Sequence, residues 1–412
     1  MLVITLIVAL AIAFQGCQAL NVRAWQSLNK FPTAADYPET GLLKDRPNTA
    51  IAFTGGGSRA YTASIGHLAG LNHLGLLKNV RYIGGISGGA WATMTYTYAQ
   101  HSADDNVLLG PILQPNEITV DKLNQMDPRC VRSFTAKNLT LVALDAYSKG
   151  TVPDVFSAWA YGVQTLYLDP AQIKQKVFFS WNDATVNEIV GRNSRSLSKT
   201  DFIKPLRADK PFPIIGTAVM GPAKGAPYGP KNQNYTLLEI TPLYVGQMKT
   251  QDVDYAYSPL GIKHTKRVGG VIEPFGFTVH GKAPVFALAK DKTTDLLNVP
   301  TPTQGLDMSV ATGASSYAPG SLISSLRPDS LVNMSMHVDY WSPADYWPTS
   351  EDTYFADGGS YENIPLISFL QREVSKIVLF FVSSTPLLTD LDLAHNWLSG
   401  TLAPHTLPPA DG

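Results

Sequence analysis

The chain has 412 residues, 44% of them hydrophobic and 16% charged, with a formal net charge of −1. A chain of this length buries a sizeable core, in one large domain or two smaller ones. The near-neutral balance, without a Lys/Arg cluster, excludes a phosphate-backbone footprint and so a nucleic-acid partner. Low charge, 10% aromatics and 29 prolines point to a loop-rich globular protein rather than a disordered one.

Leu2 to Phe14 is an apolar run broken only by Thr5. It is too short to span a bilayer comfortably and suits the hydrophobic region of a signal peptide. Cys17 and Ala19 are small enough for the −3 and −1 positions, so cleavage is expected after Ala19; an uncleaved anchor is the alternative. Sequons at Asn138, Asn234 and Asn333 agree with export, which makes a glycoprotein in a secreted or endomembrane-lumen setting the expectation. Of two cysteines, cleavage would remove Cys17 and leave Cys130 without an intramolecular partner.

Residues 20 to 48 are polar and proline-containing and read as a lead-in. Ile51 to Phe53 reads as a buried strand. Ala60 to Leu77 reads as a helix, with apolar positions at Ile65, Leu68, Ala69, Leu71 and Leu74. Val80 to Ile83 is a second strand and Ala90 to Tyr98 a second helix, so a right-handed parallel crossover is expected. Phe156 to Leu168 has aromatic helical character. Pro213 to Val219 and Tyr235 to Ile240 read as strands. Residues 247 to 305, rich in Gly, Pro and Lys, are the expected site of a mobile cap. Ser375 to Val382, a continuous apolar run, suits a buried parallel strand. The alternation predicts an α/β fold: a mainly parallel central sheet with helices on both faces.

Thr54-Gly-Gly-Gly-Ser-Arg59-Ala follows the first strand. Gly55-x-Gly57-x-x-Ala60 fits a dinucleotide-binding turn, but that site needs an acid near the end of the second strand for the ribose. No Asp or Glu occurs between Tyr61 and Ala103. The second strand runs instead into Gly85-Ile-Ser87-Gly-Gly89. A G-x-S-x-G between strand and helix is the context of a nucleophile elbow, which lifts the serine Oγ above the sheet edge at a helix N-terminus. The glycine loop then has another task. The amides of Gly56 and Gly57, with that of Gly88, are placed to form an oxyanion hole. Arg59, one turn away, offers a guanidinium fork suited to a phosphodiester.

The serine needs a base. One arrangement is a Ser-His-Asp triad, for which His395 and His405 follow Asp357 but lie in a proline-dotted tail. His67 and His73 lie on the first helix. The other is a Ser-Asp dyad, with Asp357 delivered by Phe355-Ala-Asp357-Gly-Gly359. Spacing alone leaves both open.

The blocks Thr54–Ala60, Gly85–Trp91 and Ala356–Pro365 together resemble the secreted lysophospholipase/phospholipase B family and, more loosely, the cytosolic phospholipases A2 and the patatins. Pro213–Ala218, Glu239–Gly246, Ala311–Ser316 and Asn396–Thr401 agree in the same order. The resemblance implies a cytosolic-phospholipase-A2-like hydrolase fold, a Ser87–Asp357 dyad, an oxyanion hole at Gly56, Gly57 and Gly88, and Arg59 at the substrate phosphate. It implies a carboxylic ester hydrolase, a lysophospholipase, acting on lysophospholipids and glycerophospholipids at a membrane or micelle surface, with no cofactor and no metal. A phospholipase A2-type or broad esterase, or a vestigial lipid-binding or storage protein, are the alternatives. The expected organisation is a signal peptide at 1–19 and one catalytic domain over 20–412 with a cap within 247–305; against the family the carboxyl end reads either as a fragment's or as that of a shortened relative without the last core elements. The sequence carries no signal for an oligomeric state.

Overall fold

A computed structural model of the chain describes residues 19–136, 138–222, 235–257, 262–278, 294–301, 305–318, 336–340, 342–343 and 350–383. After the first strand, β1 (Ala19–Trp25), the chain forms β2 (Thr49–Phe53), α1 (Gly57–His73), β3 (Tyr82–Gly85) and α2 (Gly88–Tyr98). This is the strand–helix–strand–helix unit expected from the sequence, and β2 pairs with β3 in parallel. The first helix starts three residues before the expected Ala60, because the glycine loop turns straight into it. It stops at His73 because Gly75 takes the left-handed conformation, φ +66°, that commonly ends helices. Every residue of α2 is buried.

Further along, past shorter helices, come α3 (Leu139–Ser148) and α4 (Val155–Val163). The expected helical stretch to Leu168 is present, but its last turn, Gln164–Leu168, is a π-turn. Short strands β4 (Phe178–Phe179) and β5 (Phe202–Ile203) pair in parallel as a separate ladder. The remaining strands are β6 (Phe212–Pro222), β7 (Thr236–Ile240), β8 (Val245–Tyr257), β9 (Ile262–Ile272), β10 (Thr294–Pro300), β11 (Met336–Tyr340), β12 (Glu351–Asp357) and β13 (Lys376–Phe380). Helices α5 (Met308–Ser315) and α6 (Leu366–Gln371) complete the elements that shape the site.

Among the described residues, one sheet takes the order β10-β1-β9-β8-β7-β6-β3-β2-β13, with β12 also on β6 and β11 on β12. The fold is α/β, but the sheet is mixed rather than mainly parallel. Only β13, β2, β3 and β6 run parallel to one another; the β10–β1–β9–β8–β7–β6 run and the β6–β12–β11 branch are antiparallel. Parallel neighbours need a long crossover, usually a helix, whereas antiparallel neighbours close through short turns. Among the described residues, helices connect the parallel strands β2, β3 and β6 in sequence. The described part of 247–305, expected as a cap, instead supplies most of β8 and all of β9 and β10 to this sheet; residues 258–261, 279–293 and 302–304 lie outside the described residues.

Side chains alternate across the parallel strands. Ile51, Phe53, Ile83 and Ile215 enter the large core shared with α1, α2, α4 and α5. Ala50, Ala52, Tyr82, Phe212 and Ile214 face a smaller core with Phe369 of α6. Helices therefore cover both faces, as expected. β13 is parallel to β2, also as expected, but it is not buried: as the outermost strand among the described residues, it leaves Val378 and neighbouring Phe381 exposed. No helix among the described residues is long and apolar enough to cross a membrane.

Candidate active site

β6 is the strand that brings the distant motifs together. Its first half pairs in parallel with β3, which ends with Gly85 opposite Ile215. Its second half pairs antiparallel with β12, which ends with Asp357 opposite Thr217. The two strands thus converge head to head on β6, with termini facing positions two residues apart, about 7 Å along a strand. A nucleophile just past β3 and an acid at the tip of β12 are neighbours by topology.

Ser87 sits at the turn from β3 into α2 with φ +54° and ψ −120°. A non-glycine residue in this region carries strain of roughly 1–3 kcal/mol. The sharp turn leaves no room beside it: a Cβ on Gly88 would overlap the carbonyl of Gly57. That contact joins the elbow to the glycine loop. Ser87 is N-cap of the buried α2, so the positive end of that helix lies at the serine. Its backbone N–H donates to Ser315 Oγ at 3.3 Å.

Asp357 is buried at the tip of β12, 7% exposed. Its Oδ1 accepts the Gly359 N–H at 2.7 Å, and the Ser87 hydroxyl lies near enough to the same carboxylate to lower its pKa. Burial pushes its pKa up to about 6, against those two neighbours, which pull it down. No cation figures in the shift. The result is a carboxylate that is ionised at neutral pH, yet basic enough to take a proton from the hydroxyl beside it.

The glycine loop closes the third side. Gly56 (φ +133°) is N-cap of α1 and Gly57 (φ +62°) its first residue; both occupy backbone conformations that favour glycine. Their amides belong to the first turn, where the helix offers no acceptor. The loop is anchored by Gly55 N–H donating to Asn363 O at 3.0 Å. Ser87 Cβ and Asn363 Oδ1 both lie where a side chain on Gly55 would project. Thr54 Oγ1 accepts the Val382 N–H at 3.0 Å. Arg59, two residues into α1, is exposed.

Thus Ser87, Asp357, Gly57 and Gly88 are gathered in one place, with Gly56 and Arg59 on the adjoining turn. His67 is elsewhere: it stacks on Phe380, which stacks in turn on Phe53, and burial lowers its pKa. His395 and His405 lie outside the described residues. Asn138 is exposed as N-cap of α3; Asn234 and Asn333 lie outside the described residues. Cys130 is a buried free thiol whose pKa burial raises. Among the described residues no three His, Cys, Asp or Glu side chains gather to hold a metal ion. Local pattern gave no role to Asn363, Ser315 or Thr217; they stood only inside the stretches that carry the family resemblance.

No protein-family model matches the sequence. The chain is similar to lysophospholipase 2 of Candida albicans, with 23% identity across 89% of this chain and 57% of that protein. Human cytosolic phospholipase A2 delta matches at 36% identity over 131 residues, 31% of this chain and 16% of that one. The chain therefore spans about half the length of the fungal relative and far less of the human one. In structure, human GIVD cytosolic phospholipase A2 aligns with 92% of this chain and 49% of its own, at 16% identity and a TM-score of 0.45. The chain is thus similar in sequence to lysophospholipases and cytosolic phospholipases A2.

Proposed function

We propose that the chain is a serine acyl hydrolase that cleaves fatty-acyl esters of lysophospholipids and glycerophospholipids, lysophospholipids first. The observation that carries this reading is the buried Asp357 carboxylate, its pKa raised to about 6, brought by β12 and β6 beside the hydroxyl of a serine held at positive φ. The names of the relatives supply the substrate class.

In this mechanism Ser87 Oγ attacks the acyl carbonyl while Asp357 takes its proton. The amides of Gly56, Gly57 and Gly88 receive the oxyanion of the tetrahedral intermediate. Collapse expels the alcohol, which leaves with the proton from Asp357, and the acyl group remains on Ser87. Asp357 then takes a proton from water, the water oxygen attacks the acyl-enzyme, and fatty acid leaves as the proton returns to Ser87. Arg59 pairs with the lipid phosphate. The apolar leader and the three sequons support a secreted or endomembrane-lumen setting, with the lipid aggregate met at its surface.

The test is fatty-acid release from lysophosphatidylcholine beside its diacyl parent. The parent protein should release acid from the first at least as fast as from the second, and Ser87→Ala from neither. Release by Ser87→Ala at the parent rate, or no release by the parent protein, would contradict the reading.

A further inference from the structure

The Ser87–Asp357 pair is assembled from chain segments that belong to different strands, and one helix end touches both. The Ser87 N–H has left the β3–β6 ladder, whose last pair is Gly85–Ile215. Its acceptor is Ser315 Oγ at the carboxyl end of α5, a side chain with no solvent exposure. On the other side, Thr217 faces Asp357 in the β6–β12 register. Its Oγ1 lies 2.9 Å from Ala356 O and 3.2 Å from Ala314 O, so one hydroxyl proton is shared between the acid's strand and the residue before Ser315. The end of α5 is itself held firmly. Asp307 Oδ1 caps the helix start by accepting the Val310 N–H at 2.9 Å. At the far end Trp159 Nε1–H of α4 donates to Ser316 Oγ at 3.0 Å, and Ser316 Oγ–H donates to Thr312 O at 2.9 Å.

We infer that Ser315 and Thr217 are positioning residues: through the end of α5 they hold the Ser87 peptide and the Asp357 strand in one fixed relation, and so set how the serine hydroxyl meets the carboxylate. A buried N–H needs an acceptor for stability alone, and that is the bland role to be separated. The distinction is in the coupling. If the pair fixes the Ser87–Asp357 contact, loosening it removes one of the two neighbours that hold the Asp357 pKa down, and the pKa climbs further. A residue that only satisfies a buried amide lowers stability and leaves the acid limb of the rate profile where it was.

This inference rests on the proposed serine–aspartate chemistry, and the experiment separates the two. Steady-state hydrolysis of a lysophospholipid is followed across pH for the parent, Ser315→Ala, Thr217→Val, Thr217→Ser and Ser87→Ala. Misplacement of reacting groups by about 1 Å costs roughly 10²-fold. Ser315→Ala and Thr217→Val should therefore lose about 10- to 100-fold in kcat with KM within about twofold, and their acid limb should move to higher pH. Thr217→Ser, which keeps the hydroxyl, should restore the parent profile. If Ser315→Ala fails to fold, the Thr217 pair decides alone. A parent-like kcat and acid limb in every variant that folds, or a lowered melting temperature with an unmoved limb, would overturn the positioning role. Hydrolysis surviving in Ser87→Ala would instead overturn the chemistry beneath it.

Discussion

Two clusters of buried charge lie on opposite faces of the same sheet. On the smaller-core face, Arg372 has no solvent exposure and is saturated with partners. Its Nε meets Glu39 at 2.7 Å, its two other nitrogens meet Glu239 at 2.9 and 2.6 Å, Tyr244 adds a hydroxyl, and the Tyr37 ring stacks 3.8 Å away. On the larger-core face, Asp357 is also buried, but its neighbours are a backbone amide and a serine hydroxyl. Burial is common to both; the partners differ. Paired with a guanidinium, a buried carboxylate is spent on an ion pair that joins α6, β7 and the residues before β2. Denied a cation and placed against a hydroxyl, it keeps an elevated pKa and the ability to exchange a proton.

That contrast can be broken in graded ways. The largest effect belongs to Ser87→Ala, which should cut hydrolysis on the order of 10⁴-fold or more and leave the melting temperature close to the parent value. Next is the structural cluster. Arg372→Met strands two buried carboxylates and should cost about 3–5 kcal/mol in denaturant unfolding, with kcat per folded molecule retained. A kcat loss matching that of Ser87→Ala would mean the two clusters are not separate.

Asp357→Asn sharpens the comparison from the other side. Because the folded pKa of Asp357 is raised, its favourable contribution is complete below the ordinary value of 3.8 and is lost as pH rises through about 6. Removing the charge should thus stabilise the protein on the order of 2 kcal/mol near neutral pH, and do little in acid, while hydrolysis disappears. Destabilisation at neutral pH would show that the carboxylate is held by partners as Glu39 and Glu239 are. The smallest expected effect is at Arg59. Arg59→Ala should raise KM for a lysophospholipid about tenfold, the scale of one charge-assisted hydrogen bond, and leave KM for a neutral acyl ester unchanged.

Local pattern revealed the parts of the site that are themselves local. Gly85-x-Ser87-x-Gly89 lies in a strand–helix turn, as its flanks Tyr82-Ile83 and Ala90-Trp91 indicated, and the glycine loop ends β2 and opens α1. The sequence located β7 nearly to the residue and β6 at its start, though β6 runs three residues past the expected Val219. What it missed depends on pairing across long stretches of chain. Strands β8, β9 and β10 of the antiparallel part lie within 245–300, where Gly, Pro and Lys mask the strand alternation. Glu39 and Arg372 are separated by 333 positions, and Ser87 and Ser315 by 228; no window of sequence contains both. β13 shows the converse error: an apolar run looks the same from a sheet edge as from its centre.

The account's central claim is that a buried carboxylate of raised pKa activates Ser87. The most direct measurement is the rate of covalent labelling by a fluorophosphonate acyl-ester mimic across pH, with the adduct mapped by peptide mass spectrometry. The account predicts one adduct, on Ser87. Its rate should rise about tenfold per pH unit below the Asp357 pKa of about 6 and level off above it, and Asp357→Asn should remain unlabelled. An adduct on another residue, a rate indifferent to pH through that range, or parent-rate labelling of Asp357→Asn would contradict it.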